Sequence, residues 1–390
     1  METIQLYNKD AYQKEFVAEV IACEEEKDGY AIVLDQTAFF PEGGGQYGDR
    51  GVLNEIFVYD TKIKEGIIYH KTKKPLAAGT KVNGSIDWER RYGFMQNHSA
   101  EHIISGLVHK LYGYDNVGFH LGEEEMTLDF NGILTMEQLL VLEQQINRVI
   151  WSNQEIQITY PNEEELKELP YRSKKELEGQ IRIITIQDVD ICACCAPHVH
   201  KTREIGLAKV ISVQKNKSGV RVTVLAGERA LNDYRQKQEE VMSISKALSA
   251  KQGKVASAVL KLQEEKQRLE YELLQLKLEQ LKKEARQVEV NNGIASMETV
   301  GLSGKEIREV CNTLMERAML AAVWNRKQEG DEDVQYMVGS KEQDVRSIAE
   351  RLKEQCEGRG GGKAMMIQGT AKGTKERLEK ILIDWRAKIE

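Results

Sequence analysis

Cysteine is scarce in this chain, with six in 390 residues, at positions 23, 192, 194, 195, 311 and 356. Three of the six crowd into positions 192–195, and adjacent cysteines make a poor disulfide framework, so they read as metal chemistry in a reducing cytoplasm. No apolar run approaches the ~20 residues a membrane span requires, and no membrane partner is expected. The opening METIQLYNKDAYQKEF carries neither a basic stretch nor an apolar one, so a cleaved signal peptide is not expected. Basic excess is missing too. A net charge of −7 argues against nonspecific coating of nucleic acid, while leaving room for a locally basic groove. What is present is ordinary soluble material, 41% hydrophobic and 30% charged, enough for two or three domains with a sizeable core.

Texture divides the chain into four regions. Residues 1–90 carry short β-rich runs, Tyr30–Leu34 and Gly66–His70 among them, separated by glycine-rich turns, and predict a small β-barrel-like domain. Residues 91–234 mix helix (Thr135–Trp151) with strands (Met126–Phe130, Ile181–Ile186, Val220–Leu225). Lacking a regular βαβ rhythm, they predict an α+β domain on an antiparallel sheet. In residues 235–290, Val241, Leu248, Val255, Leu262, Leu269 and Leu276 recur every seven residues. The partner series Gln252, Val259, Lys266, Leu273, Gln280 is broken by polar residues. This pattern predicts a helical hairpin or coiled coil, paired within one chain or between two, which serves equally as a spacer or as a homodimer contact. Residues 291–390 predict a small α/β module with helices Lys305–Arg326, Glu342–Cys356 and Gly373–Lys388 and strands Val334–Val338 and Ala364–Gln368.

Two short elements carry the chemistry. His98-Ser-Ala-Glu-His102 puts two imidazoles four residues apart, on one face of a helix. Cys194-Cys-Ala-Pro-His198 repeats the four-residue step with a thiol and an imidazole. Together they offer four ligands of the kinds zinc prefers, and Zn2+ is the expected cofactor. Cys192 and Cys195 are neighbours, but only Cys194 stands four before His198; Cys195 reads as a packing residue beside the ligands, and His200 is a further candidate with no partner at a useful spacing. Glu101 does not make this a protease helix, because in that motif the glutamate directly follows the first histidine. The thiolate leaves the dication a net positive charge, able to polarise a carbonyl or bind water if one position opens.

A third element, Thr37 to Asp49, is a dense run of turn residues whose glycines let backbone approach a ligand closely. In order, LDQTAFFPEGGGQYGDRG (34–51), DWERRYGFMQNHSAEH (87–102), RIITIQDVDICACCAPHV (182–199), TREIG (202–206) and GVRVTVLAGERAL (219–231) resemble the editing half of alanyl-tRNA synthetase and its free-standing relatives, the AlaX editing proteins. The run from Gly358 to Gly369 is similar to the glycine-rich signature of the C-terminal DHHA1 module, and it is not a phosphate-binding Walker loop, since Ala364 replaces the required Ser/Thr. The resemblance covers nearly the whole chain and lacks the ATP-using aminoacylation domain. It departs at Cys-Cys-Ala-Pro-His, where the family usually reads C-G-G-T-H, and at Arg203 and Glu101.

The resemblance implies a trans-acting deacylase of tRNA(Ala) mischarged with serine or glycine. Zinc would sit on His98, His102, Cys194 and His198; the residues carried over as catalytic are His98, His102 and Thr37. Thr37, Gly43, Gly44, Gly45 and Gln46 would bind substrate, with Thr37 reading the serine hydroxyl. Arg359 and Lys363 would contact tRNA. Ser243–Val290 has ten Lys/Arg against seven Asp/Glu, and Arg351–Glu390 ten against six, so the basic excess lies in the C-terminal half. Rival readings are an RNA-binding protein with a structural zinc, and a zinc hydrolase of small molecules.

Overall fold

The computed structural model describes residues 2–173, 180–217 and 219–389. They fall into two compact units, Met1–Ser243 and Ile244–Glu390. Among the described residues, no helix is long and apolar enough to cross a membrane.

The first unit begins with a closed six-stranded barrel. Around it run Glu15–Glu26, Gly29–Leu34, Ile67–Thr72, Ile56–Lys64, Gly51–Leu53 and Lys81–Ile86. Period-two alternation sends Phe16, Ala18 and Val20 inward while Glu15, Val17 and Glu19 face out. Bulges between Val20 and Ala22 and between Val58 and Asp60 add the local bend that closure needs.

The long helix Trp88–Tyr112 follows directly. Asp87 caps it by accepting from the Arg90 backbone N–H, and Gly113, at φ 69°, ends it. Fifteen consecutive buried residues run from Phe94 to Val108, because helix Met136–Trp151, a four-stranded antiparallel sheet and a three-stranded one pack against it. The four-stranded sheet is ordered Ala208–Asn216, Gly219–Ala226, Met126–Phe130, Asn116–Leu121; the three-stranded one is Ile156–Thr159, Ile183–Ile186, Asp190–Ala193. Helix Met136–Trp151 starts on a Thr135/Gln138 capping box and presents Leu139, Leu142, Ile146 and Ile150 to the same core.

The α+β class and the antiparallel sheets agree with the sequence; two local expectations do not. The continuous heptad helix is interrupted: Glu228–Ala247 ends before Ser249, at φ 49°, and Val255–Gln287 begins after a short turn containing Gly253. In the second helix, Leu278 and Ala285, with the half-buried Leu274 and Leu281, pack on helix Gly304–Met315, while Leu262, Leu269, Leu273 and Leu276 stay exposed. The helix expected over Lys305–Arg326 stops at Met315, and Leu320–Arg326 is a strand. That strand is central in a five-stranded sheet and buried on both faces, so its unbroken apolar run imitates a buried helix. The sheet ends on the exposed edge strand Arg359–Lys363, paired with Met366–Lys372.

Candidate metal centre

The helix Trp88–Tyr112 carries His98, Glu101, His102 and Ser105 on one face, one helical step apart. The segment after strand Asp190–Ala193 brings Cys194 and His198 over that face. Arg182 holds it there, its Nη1 donating to the Cys194 and Ala196 carbonyls at 2.8 and 2.9 Å. One ligand atom from each of His98, His102, Cys194 and His198 lies within 4.8 Å of the others. The three histidines are buried, and Cys194 Sγ is 3.5 Å from His98 Nε2. Tetrahedral ligands at zinc-like distances stand roughly 3.3–3.8 Å apart, so a slight contraction suffices.

The orientation of the rings matters as much. His98 Nδ1 donates to Gln46 Oε1 at 2.9 Å, and His102 Nδ1 donates to Asp190 Oδ2 at 2.9 Å. Asp190 is in turn held by Arg172, whose Nε and Nη2 donate to it at 2.7 and 2.8 Å. Both arrangements put the proton on Nδ1 and leave Nε2 to ligate. His102 Nε2 and both His198 ring nitrogens are buried without a hydrogen-bond partner. A neutral imidazole has one N–H and one lone-pair nitrogen, so one nitrogen of His198 is a buried lone pair that a cation would satisfy. Electrostatics agree. Burial pushes His198 down to about 3, keeping it neutral. Burial would lower His102, but Asp190 on its Nδ1, together with the neighbouring sulfurs and the Glu101 charge, holds it well above its ordinary value. Burial would raise the Cys194 thiol, and the surrounding histidines hold it well below. Without an ion the cluster thus favours a Cys194 thiolate beside a protonated His102, and a bound cation would take the place of that proton.

A cavity of about 510 Å³ opens onto this cluster, walled in part by Gly44, Gly45, Glu101, Phe119 and Cys195. The glycine loop enters it as a two-residue hairpin turn. Gly43 and Gln46 exchange backbone hydrogen bonds at 3.1 and 3.0 Å, with Gly44 and Gly45 at φ 60° and 84°. A Cβ on Gly45 would meet the Phe119 carbonyl at 2.7 Å. The turn thus brings Gly44 and Gly45 to the cavity, and spends the Gln46 carbonyl-amide oxygen on His98.

Thr37 is not brought there. It is wholly buried; its hydroxyl donates to His70 Nε2 at 2.8 Å and accepts from the Phe39 N–H at 3.1 Å, while His70 Nδ1 donates to the Ile32 carbonyl. The hydroxyl that the resemblance assigns to the substrate is thus held by His70 and the Phe39 N–H, and Thr37 is not among the residues that wall the cavity. Thr37→Val should instead destabilise the fold by about 1–3 kcal/mol, readable in urea unfolding, because His70 Nε2 loses its partner. Burial pushes His70 down to about 4, so between pH 6.5 and 4 the unfolded chain takes up a proton that the folded chain refuses. His70 therefore contributes stability that falls as pH drops through this window.

Several residues at the site had no local signature: Asp190, Arg172, Arg182 and the buried Glu101. The acidic residue in the run QDVDICAC was the one available hint. Asp190→Asn should weaken metal binding about 10- to 100-fold in a competition titration with a chromogenic chelator, by freeing the His102 ring. Cys195 is exposed at the cavity wall, Cys192 lies behind with Asp190, and His200 stacks on Tyr12 at 4.1 Å. Arg359 and Lys363 lie in the second unit, both exposed on the edge strand.

Comparison with known proteins matches three family models in order along the chain. Residues 4–90 match the class II (A) tRNA synthetases, residues 181–222 the threonyl and alanyl tRNA synthetase second additional domain, and residues 291–389 the DHHA1 domain. The alanyl-tRNA editing protein AlaX-L of Pyrococcus horikoshii is 36% identical over 58% of this chain and 59% of its own length. The alanyl-tRNA editing protein Aarsd1 of Rattus norvegicus is 27% identical over 96% of this chain and 95% of its own. An alanine–tRNA ligase of Sulfurisphaera tokodaii is 29% identical over 93% of this chain but only 41% of the ligase. With the modules in this order, the chain is similar along nearly its whole length to alanyl-tRNA editing proteins and to part of an alanine–tRNA ligase.

Proposed function

We propose that the protein is a trans-acting deacylase that hydrolyses the ester of tRNA(Ala) mischarged with serine, with glycine as a second substrate. The observation that carries this reading is the cavity opening onto four convergent ligand atoms, beside a glycine turn that leaves room for an acyl group. The named relatives are editing proteins for alanyl-tRNA, which supports the substrate class.

His98, His102, Cys194 and His198 would hold zinc, which supplies a Lewis acid for the ester carbonyl or a low-pKa water. Gln46 and Asp190 keep the Nε2 atoms of His98 and His102 turned toward the centre. Gly44 admits the ester because a side chain there would stand over the cluster, 3.7 Å from Cys195 Sγ and 4.0 Å from His98 Cε1 at its Cβ, while Gly45 lets the turn pack closely on Phe119. Phe119 at the wall limits water. Arg359 and Lys363, with the other basic residues of the C-terminal half, would hold phosphates of the tRNA. The long helix with its exposed leucines would serve as spacer or dimer contact.

A second reading has its own support: four protein ligands are the usual mark of a structural zinc, which fits an RNA-binding protein without catalysis. Incubation with Ser-tRNA(Ala), Gly-tRNA(Ala) and Ala-tRNA(Ala) separates the two. Release of serine much faster than alanine supports the deacylase. Tight binding of all three with no release would replace it with the RNA-binding reading.

A further inference from the structure

We propose that the first unit carries a stacking surface for unpaired RNA nucleotides, built on Trp151 and His200 and flanked by Arg148, Lys201 and Arg203. The assignment rests on the deacylase reading above, which requires an RNA partner. Trp151 is 65% exposed, yet its ring is held in place, because Nε1 donates to the Gly206 carbonyl at 3.3 Å. The loop that offers this carbonyl lies along the end of helix Met136–Trp151. Thr202 Oγ1 donates to the Val149 carbonyl at 3.0 Å and accepts from the Gln154 N–H at 3.0 Å. His200, exposed at the start of the same loop, stacks on the Tyr12 ring at 4.1 Å between centroids. Tyr12 is itself fixed, donating to Glu204 Oε2 at 2.6 Å. Rings ordered before a ligand arrives lose little entropy when it stacks on them.

Charge is the second observation. Residues 148–155 and 200–206 expose three cations, Arg148, Lys201 and Arg203, and one carboxylate, Glu155. Arg148 stands three residues before Trp151, on the same helical face. None of the three cations forms an ion pair among the described residues. The remaining acid, Glu204, is half-buried and turned back onto Tyr12 and the Lys201 N–H, which donates to it at 2.9 Å. Held aromatic rings among unpaired cations match single-stranded nucleic acid, whose bases stack while its phosphates are neutralised. Continuity places this surface by the metal centre. The chain that supplies His198 reaches His200 two residues later, at most about 7 Å of extended backbone. An ester held at the four ligands belongs to an RNA end whose adjoining nucleotides are unpaired, and they must leave over this unit.

The test uses full-length, zinc-loaded protein and two unacylated RNA hairpins, one ending in four unpaired 3′ nucleotides and one blunt. Fluorescence anisotropy should find the overhang hairpin bound about 5- to 100-fold more tightly, the range for one or two stacked bases. Trp151→Ala should cut that gap by at least about fivefold by weakening the overhang hairpin alone, with zinc content unchanged. The overhang hairpin should also quench tryptophan emission. Trp151→Phe should lose most of that quenching, because Trp324 and Trp385 are buried. Arg203→Glu should weaken the overhang hairpin about 5- to 10-fold and flatten the salt dependence of its binding. Two hairpins bound alike by the wild type, the result expected if the rings instead meet a protein, overturns the proposal. So does a gap unchanged in Trp151→Ala, or an equal loss on both hairpins. If Trp151→Ala fails to fold, Arg203→Glu decides, and an unchanged overhang affinity and salt slope overturn the proposal. Absence of Ser-tRNA(Ala) hydrolysis in the wild type would fail the deacylase reading itself. Intact hydrolysis with no overhang preference fails only this surface.

Discussion

Cys194→Ser is expected to strip the metal and lower the rate of Ser-tRNA(Ala) hydrolysis by at least about 100-fold, since losing a ligand costs more than losing its outer support. Cys194 is the only thiol that reaches the three imidazoles, and its environment favours the thiolate. A serine hydroxyl does not ionise there and is a poor zinc ligand. Elemental analysis should find the variant short of zinc, while circular dichroism keeps the wild-type helix content, because Arg182 holds the segment through backbone carbonyls that serine leaves in place. Cys195→Ser, one residue away on the exposed wall, should keep its metal. Equal metal loss in both variants would mean that the ligand has been assigned to the wrong sulfur.

Asp49→Ala is expected to cost about 3–5 kcal/mol, the largest stability effect of any single substitution outside the metal cluster. Asp49 and Arg91 are 1% and 0% exposed and form an ion pair in which Arg91 Nε donates to both carboxylate oxygens at 3.1 and 2.9 Å. Arg91 also donates to the Ala11 and Ala38 carbonyls, and Asp49 accepts from the Phe40 N–H at 2.7 Å. This knot ties the glycine loop of the barrel to the helix that carries His98 and His102. Removing the carboxylate strands a buried guanidinium, whereas Asp49→Leu with Arg91→Met removes both charges and should recover much of the loss. Urea unfolding followed by tryptophan fluorescence measures both. A loss below about 1 kcal/mol for Asp49→Ala would mean that the pair is solvated in solution.

That His98, His102, Cys194 and His198 would converge was legible from residue type and spacing: the four-residue step puts the two helix histidines on one face, while Cys194 and His198 meet them from an irregular segment. The turn at Gly44 and Gly45 was legible for a similar reason, since positive φ is a local demand. Thr37 was not. Whether its hydroxyl faces a ligand or His70 depends on how a six-stranded barrel closes, and its partner is 33 residues away. Asp190 and Arg172 were hidden by the same non-locality: Asp190 lies on a strand brought to His102 only by the fold, and Arg172 reaches it from a separate segment. Glu101 sits on the helix itself, but its burial against Asn116 also depends on the fold, and an acidic residue in isolation reads as surface charge. Leu320–Arg326 misled because a strand covered on both faces carries no alternation. The heptad leucines gave the helix correctly, but a period does not say which stretch of it finds a neighbour. Leu278 and Ala285 found one on helix Gly304–Met315, and Leu262 and Leu269 did not.

The central claim is that one metal ion at His98, His102, Cys194 and His198 makes this protein a deacylase. It is tested most directly by titrating zinc back into chelator-stripped full-length protein while following Ser-tRNA(Ala) hydrolysis. The expected rate rises in proportion to bound zinc, from near zero, and saturates at about one ion per chain. Full hydrolysis by stripped, folded protein would contradict the claim, and would reduce the four ligands to a structural clasp.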